Sequence, residues 1–258
     1  MPTPLAVQLF ILPSMALLLA SCAQTPSFDL RLPAQASGPI KRESFPQGKS
    51  LWKENHGNAG PPAPLAERPM SAISGQWNDP AFARYAGGGY GAGAQRRDWT
   101  VRVEAGISPK VQRALSSARD GYEADLGEVT YASARIYPRF IRKRFPWGNA
   151  VSFLVQYQND NTNFVPNNGM LCYEVHGITD DHRYTVWARF GVTHPRLKEF
   201  GPGVRDHRPT AQDRTWPDPR MTKDPDYVLV ERCAEEEFQP SLRDIDALLN
   251  TVKPNRSR

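Results

Sequence analysis

Four of the five histidines, His176, His182, His194 and His207, fall within 32 residues, interspersed with Glu174, Asp180, Asp181 and Asp206. Imidazole and carboxylate are the usual ligands of zinc, so this stretch is the first place to look for metal chemistry. The intervals between successive histidines, 6, 12 and 13 residues, fit no short metal-binding motif. The sequence therefore assigns no metal ligands and no cofactor. A second grouping rests on strand alternation. Glu174, His176, Trp187 and Arg189 share one face of the hairpin derived below, where a carboxylate and a guanidinium can orient a polar ligand on an indole surface. The same four residues also read as a charge ladder within a sheet. A third grouping is basic. Arg139, Arg142, Lys143 and Arg144 lie among Phe140, Ile141, Phe145 and Trp147, a mixture suited to an anionic polymer or a lipid headgroup surface.

The signals of catalysis are thin. Gly-x-Ser-x-Gly, His-Glu-x-x-His and Ser-His-Gly-Cys are absent from the chain, so no catalytic residues are assigned. The run Asn159-Asp160-Asn161-Thr162-Asn163 lacks the spacing, glycine and terminal Glu of a calcium loop. The glycine-rich stretch 87–94 contains a Gly-x-Gly-x-x-Ala spacing. No strand before it or helix after it is apparent, as a phosphate-binding turn requires.

The strongest signal lies at the N-terminus. No charged side chain precedes Asp29, and Leu9–Leu12 and Met15–Ala20 form an apolar run broken by Pro13 and Ser14. The run is too short for a comfortable membrane span and suits the core of a secretory signal. It ends in Leu19-Ala20-Ser21-Cys22. This quartet resembles the lipobox of bacterial lipoproteins, in which small residues admit a peptidase and the cysteine thiol accepts a diacylglycerol. The resemblance covers residues 1–22 only and implies lipidation of Cys22, with palmitate among the attached chains. Ala23, where an Asp would retain a lipoprotein at the inner membrane, implies the periplasmic face of the outer membrane. With Cys22 lipidated, Cys172 and Cys233 remain. In an oxidising compartment an even remainder reads as one disulfide, the alternative being two buried free thiols.

These groups need a scaffold. Residues 22–97 are rich in Pro and Gly and read as a tether, partly ordered near 65–97, where Ile73, Trp77, Phe82 and Tyr85 occur. A domain over 98–253 follows. Trp99, Val101 and Val103 alternate with polar residues as a strand. Ser108-Pro109 opens a helix expected over 109–123. Strands are expected at 128–137 and 150–158. A hairpin of 170–178 and 183–193 turns on Thr179-Asp180-Asp181-His182, with opposed residue numbers summing to 361, so that Leu171 faces Phe190. A strand at 226–233 and a helix capped by Ser241 and stopped by Pro254 complete the chain. The fold class is α+β, one antiparallel sheet of four to six strands with helices on one face. Its element order is similar to that of the PsbP/Mog1-like sandwiches.

The chain has 258 residues, 40% hydrophobic and 23% charged, with 32 Lys+Arg against 27 Asp+Glu for a net charge of +5. Such a balance suits one ordinary globular domain plus loops. The basic excess is too small to mark a nucleic-acid binder. The expectation is a lipid-anchored envelope protein with a non-catalytic binding or scaffolding domain. Its partners would be the membrane, an anionic envelope polymer or another envelope protein. The rival is a metal-dependent envelope hydrolase built on the His-rich hairpin.

Overall fold

Alternation of apolar and polar residues places β4, Asp98–Ala105, in the sheet with Trp99, Val101 and Val103 fully buried on one face. The computed structural model that shows this describes residues 25–32, 40–46, 68–77, 98–116, 133–134, 138–158, 166–169, 171–198 and 224–255. The other sheet strands are β2 (Lys41–Phe45), β3 (Met70–Gln76), β5 (Ser133–Ala134), β6 (Ile141–Phe145), β7 (Gly148–Gln158), β8 (Leu171–Thr179) and β9 (Tyr184–Gly191). Their order is β2-β3-β4-β9-β8-β7, with β6 beside the first half of β7 and β5 at its last two residues. Every pairing is antiparallel. Two short strands, β1 (Phe28–Asp29) and β10 (Lys253–Pro254), form a separate antiparallel ribbon.

The α+β class with one antiparallel sheet therefore holds, with eight strands in that sheet among the described residues rather than four to six. The helices do not share a face. On one side, α1 (Pro109–Ser116) buries Val111 and Ala114 against Val151, Phe153, Val155 and Cys172. On the other, α2 (Pro225–Arg232) and α3 (Leu242–Leu249) bring Val230, Ile245 and Leu249 onto Leu154, Tyr173 and Val175. Covered on both faces, β8 has all nine residues buried.

Four further expectations are corrected. The stretch read as a tether supplies three strands. β3 pairs with β4 along seven residues, and Phe28, Leu30, Ile73 and Trp77 belong to the main core. Residues 226–233 are helical. The Asp224 carboxylate accepts hydrogen bonds from the backbone N–H groups of Asp226 at 2.8 Å and Tyr227 at 3.3 Å, and Pro225 begins the first turn, which nucleates a helix despite strand-forming Val228 and Val230. The hairpin register sums to 363, with Tyr173 opposite Phe190. The turn consumes Asp180–Arg183, its His182 in the left-handed region at φ 55°, and the Tyr184 N–H bonds to the Thr179 hydroxyl at 3.1 Å. Finally, Cys172 and Cys233 are both free. Cys172 lies in the core under α1 and Cys233 in the core under α2, so the sheet separates them and the expected disulfide is not formed.

The α3 expectation holds, with Ser241 Oγ accepting from Asp244 N at 3.0 Å. The expected helix beyond Ser116, most of 128–137, the stretches 87–94 and 159–163, and Cys22 lie outside the described residues.

Candidate functional site

Because side chains of a sheet alternate faces, in-register strands stack polar positions into rows. Two such rows cross the centre of this sheet. One runs Arg102, Trp187, His176, Val151 and the next runs Thr100, Arg189, Glu174, Phe153, from β4 through β9 and β8 to β7. The four residues grouped from the sequence thus come together. The register places Glu174 opposite Arg189 and His176 opposite Trp187. Glu174 is 1% exposed. Its carboxylate accepts from Arg189 Nε at 3.0 Å and meets His176 Nε2 at 2.8 Å. The His176 ring lies 4.3 Å from the Trp187 ring and 5.0 Å from that of Phe153. Trp187 in turn donates its indole N–H to Glu104 at 3.2 Å, and Glu104 lies 3.9 Å from the Arg68 guanidinium.

Burial pulls the His176 pKa below its ordinary value, and the contact with Glu174 only partly opposes this. The imidazole is neutral and donates Nε2–H to the carboxylate, which leaves Nδ1 buried without a hydrogen-bond partner. The network offers little to a ligand. Glu174 already has two donors, and the cavity beside it measures about 10 Å³, room for one water. What the arrangement does is cross-link β8 to β9 and β9 to β4.

The other histidines do not join it. His182 is exposed in the β8–β9 turn, and His207 lies outside the described residues. His194 is fully buried and packs edge-on to Phe238 at 5.3 Å. Its ring is the centre of a trio that no sequence spacing announced. His194, Cys233 and Glu237 present their ligand atoms within 4.8 Å of one another. Hydrogen bonding favours one tautomer of the ring. The Arg196 N–H donates to His194 Nδ1 at 3.2 Å, so the proton of the neutral ring resides on Nε2, facing Glu237 at 3.5 Å. A metal at that nitrogen would have to displace its proton. The Cys233 thiol is shifted further from ionisation, burial being the main cause. The trio joins the β9 exit to the turn after α2, and His194 Nε2 is buried there without a hydrogen-bond partner.

The basic group splits across both faces of the sheet. Lys143 bonds Asp246 and Glu235, the latter at 3.2 Å, and lies 5.6 Å from the Tyr173 ring centre. Burial works against its charge, but Tyr173 and Asp246 outweigh it and hold the ammonium protonated above its ordinary range. Arg144 makes a bidentate pair with Asp180 at 2.5 and 2.7 Å on the surface. Arg139 donates to the Cys233 carbonyl and covers the Phe238 ring at 5.9 Å. Arg142 is exposed and lines a cleft of about 360 Å³ with Gln112, Ser116, Asn149, Thr179 and His182. Three of the four cations are thus engaged with their own fold, and no single basic surface results.

A Ser-x-x-Lys spacing, Ser50 and Lys53, occurs in the sequence. It lies outside the described residues, and neither the Ser-Asp-Asn nor the Lys-Thr-Gly that accompanies it in acyl-serine enzymes is present. Among the described residues no helix is long and apolar enough to cross a membrane. Comparison with family models, with curated proteins and with solved structures finds no match to this chain.

Proposed function

We propose that this chain is a lipid-anchored protein of the bacterial cell envelope whose α+β domain binds or scaffolds an envelope component rather than performing catalysis. The observation that carries the reading is the sequence Leu19-Ala20-Ser21-Cys22 at the end of an uncharged apolar run. On this reading Cys22 is the lipidated residue, and Ala23 after it directs attachment to the outer membrane. The site chemistry supports the non-catalytic half. The buried Glu174 carboxylate has both oxygens occupied, and the Cys172 thiol, pushed up to about 12 by burial, is no nucleophile at neutral pH. A metal hydrolase on the hairpin is disfavoured because His176, His182 and His194 occupy three separate surroundings.

The test is metabolic labelling with palmitate in a bacterial host, followed by fractionation. Wild type should take up label and sediment with outer membranes, whereas Cys22→Ala should lose both. Equal labelling of the two would end the anchoring claim. Stoichiometric zinc in the purified protein, lost in His194→Ala, would bring back the metal reading.

A further inference from the structure

On the reading that Cys22 carries lipid, the chain beyond it is too short to act as a tether. Residues 26–31 are already part of the fold. Ser71 Oγ donates to the Pro26 carbonyl, and Asn255 N donates to Ser27 O at 2.8 Å. Arg31 N donates to Thr251 Oγ1 at 3.0 Å, and the same hydroxyl donates to Arg31 O at 3.2 Å. Phe28 and Leu30 are buried in the main core. Only Ala23, Gln24 and Thr25 separate Cys22 from Pro26. Four residue steps span at most about 14 Å even when fully extended. The backbone of Cys22, which carries the acyl chains, is therefore held within that distance of the first fixed backbone group.

So short a connection selects an orientation. The end of the sheet nearest the lipid carries the β1–β10 ribbon and, beside it, the β8–β9 turn, because Tyr184 Oη donates to Asn255 O at 3.3 Å. Three cations are exposed there: Arg31, Lys253 and Arg183, the last lying 5.7 Å from the Tyr184 ring centre. Three acidic residues accompany them, and exposed Asp180 is neutralised by its bidentate pair with Arg144. Asp29 is paired in register with Lys253, and Asp181 is spent on its own turn, accepting from Thr179 Oγ1 at 2.7 Å and Arg183 N at 3.1 Å. Arg256 and Arg258 follow in the sequence. We propose that this end of the molecule, the β1–β10 ribbon with the β8–β9 turn, lies against the anionic headgroup surface of the bilayer that holds Cys22. Exposed Lys and Arg act on an anionic surface only within about a Debye length, ~8 Å at physiological salt, and the short link keeps them near that range. The opposite end, where Lys198 and Arg196 are exposed, is then the end presented to the periplasm.

The experiment uses the acylated full chain reconstituted into vesicles of phosphatidylethanolamine and phosphatidylglycerol. A fluorophore is placed at Lys253→Cys or at Lys198→Cys, while Cys172 and Cys233 are buried and unreactive. Headgroup-nitroxide lipid is the quencher. Quenching at position 253 should exceed that at 198 severalfold. A Gly/Ser insertion of about 20 residues after Ala23, adding ~25 Å of average reach, should bring the ratio close to one. Equal quenching at both positions in the uninserted, vesicle-bound protein would overturn the orientation and leave the anchor standing. Protein that lacks an acyl mass on Cys22 and stays out of the vesicle fraction would overturn the anchor, and the orientation with it.

Discussion

Glu174 shows how a single carboxylate can specify a register. It sits on a strand buried on both faces, so it needs donors from the sheet itself, and the pairing that opposes it to Arg189 supplies one. His176 supplies the other at 2.8 Å and is kept neutral mainly by burial. That neutrality gives a pH dependence whose sign follows directly. The unfolded chain takes up the proton near pH 6.5, whereas the folded chain resists it. Stability is full above about pH 6.5 and falls as pH drops toward the depressed folded value, by about 1.4 kcal/mol per unit for one histidine. His194, also buried and lowered, adds a second increment. Urea unfolding across about pH 7.5 to 5 should show midpoints declining below about 6.5, and His176→Gln should remove close to half of that slope. An unchanged slope in the variant would show that His176 already binds its proton in the fold. The shared face of these residues was legible because a strand has period two, and a slip of two residues leaves every face intact. Their partners were not, since the register depends on a turn closed by the Thr179 side chain.

The helix α2 was hidden by composition. Tyr227-Val228-Leu229-Val230 reads as strand by propensity, and the deciding signal is the pair before it, Asp224-Pro225, a cap and a first-turn proline. Once the first turn is nucleated, Tyr227 and Val230, three apart, bury the same side of the helix. Asp224→Ala removes the acceptor for two backbone N–H groups and should cost about 1 kcal/mol, read as a shift in the urea midpoint. A loss of only a few tenths would mean that water replaces the carboxylate. The strand β3 was hidden for the opposite reason. Met-Ser-Ala-Ile-Ser-Gly-Gln has one β-branched residue and small neighbours, so it carries no alternation. The Trp99 ring explains part of this. A Cβ on Gly75 would stand 2.7 Å from it, so the strand must be small where the indole crosses it. The edge strand β2 is charged and exposed along most of its length, a pattern that protects a sheet edge from pairing with another chain and gives no hydrophobic signal.

Two properties of the assembled fold separate it from a domain on a long leash. The first is its thiols. Cys172 and Cys233 occupy cores on opposite sides of the sheet, and no rearrangement short of unfolding brings them within bonding range. Alkylation of protein denatured without reductant should modify both of their peptides completely, and a cystine-linked peptide pair would contradict the fold. The second is the segment just after Cys22. Composition suggested a solvated tether because proline and glycine make up a quarter of residues 23–97. A chain of such residues still enters a core wherever a few large apolar groups find a partner surface, and Phe28 and Leu30 do so in the main core, with Phe28 paired to β10. Phe28 is 5% exposed, so Phe28→Ala removes a buried ring and leaves a cavity, a change that costs about 3 kcal/mol or more. In a tether the same substitution would cost nothing measurable. Urea unfolding of Phe28→Ala beside wild type therefore decides between the two pictures. A large midpoint shift at unchanged denaturant dependence places the first strand inside the cooperative fold. An absent shift would return residues 25–32 to the solvent and restore a long connection between lipid and domain.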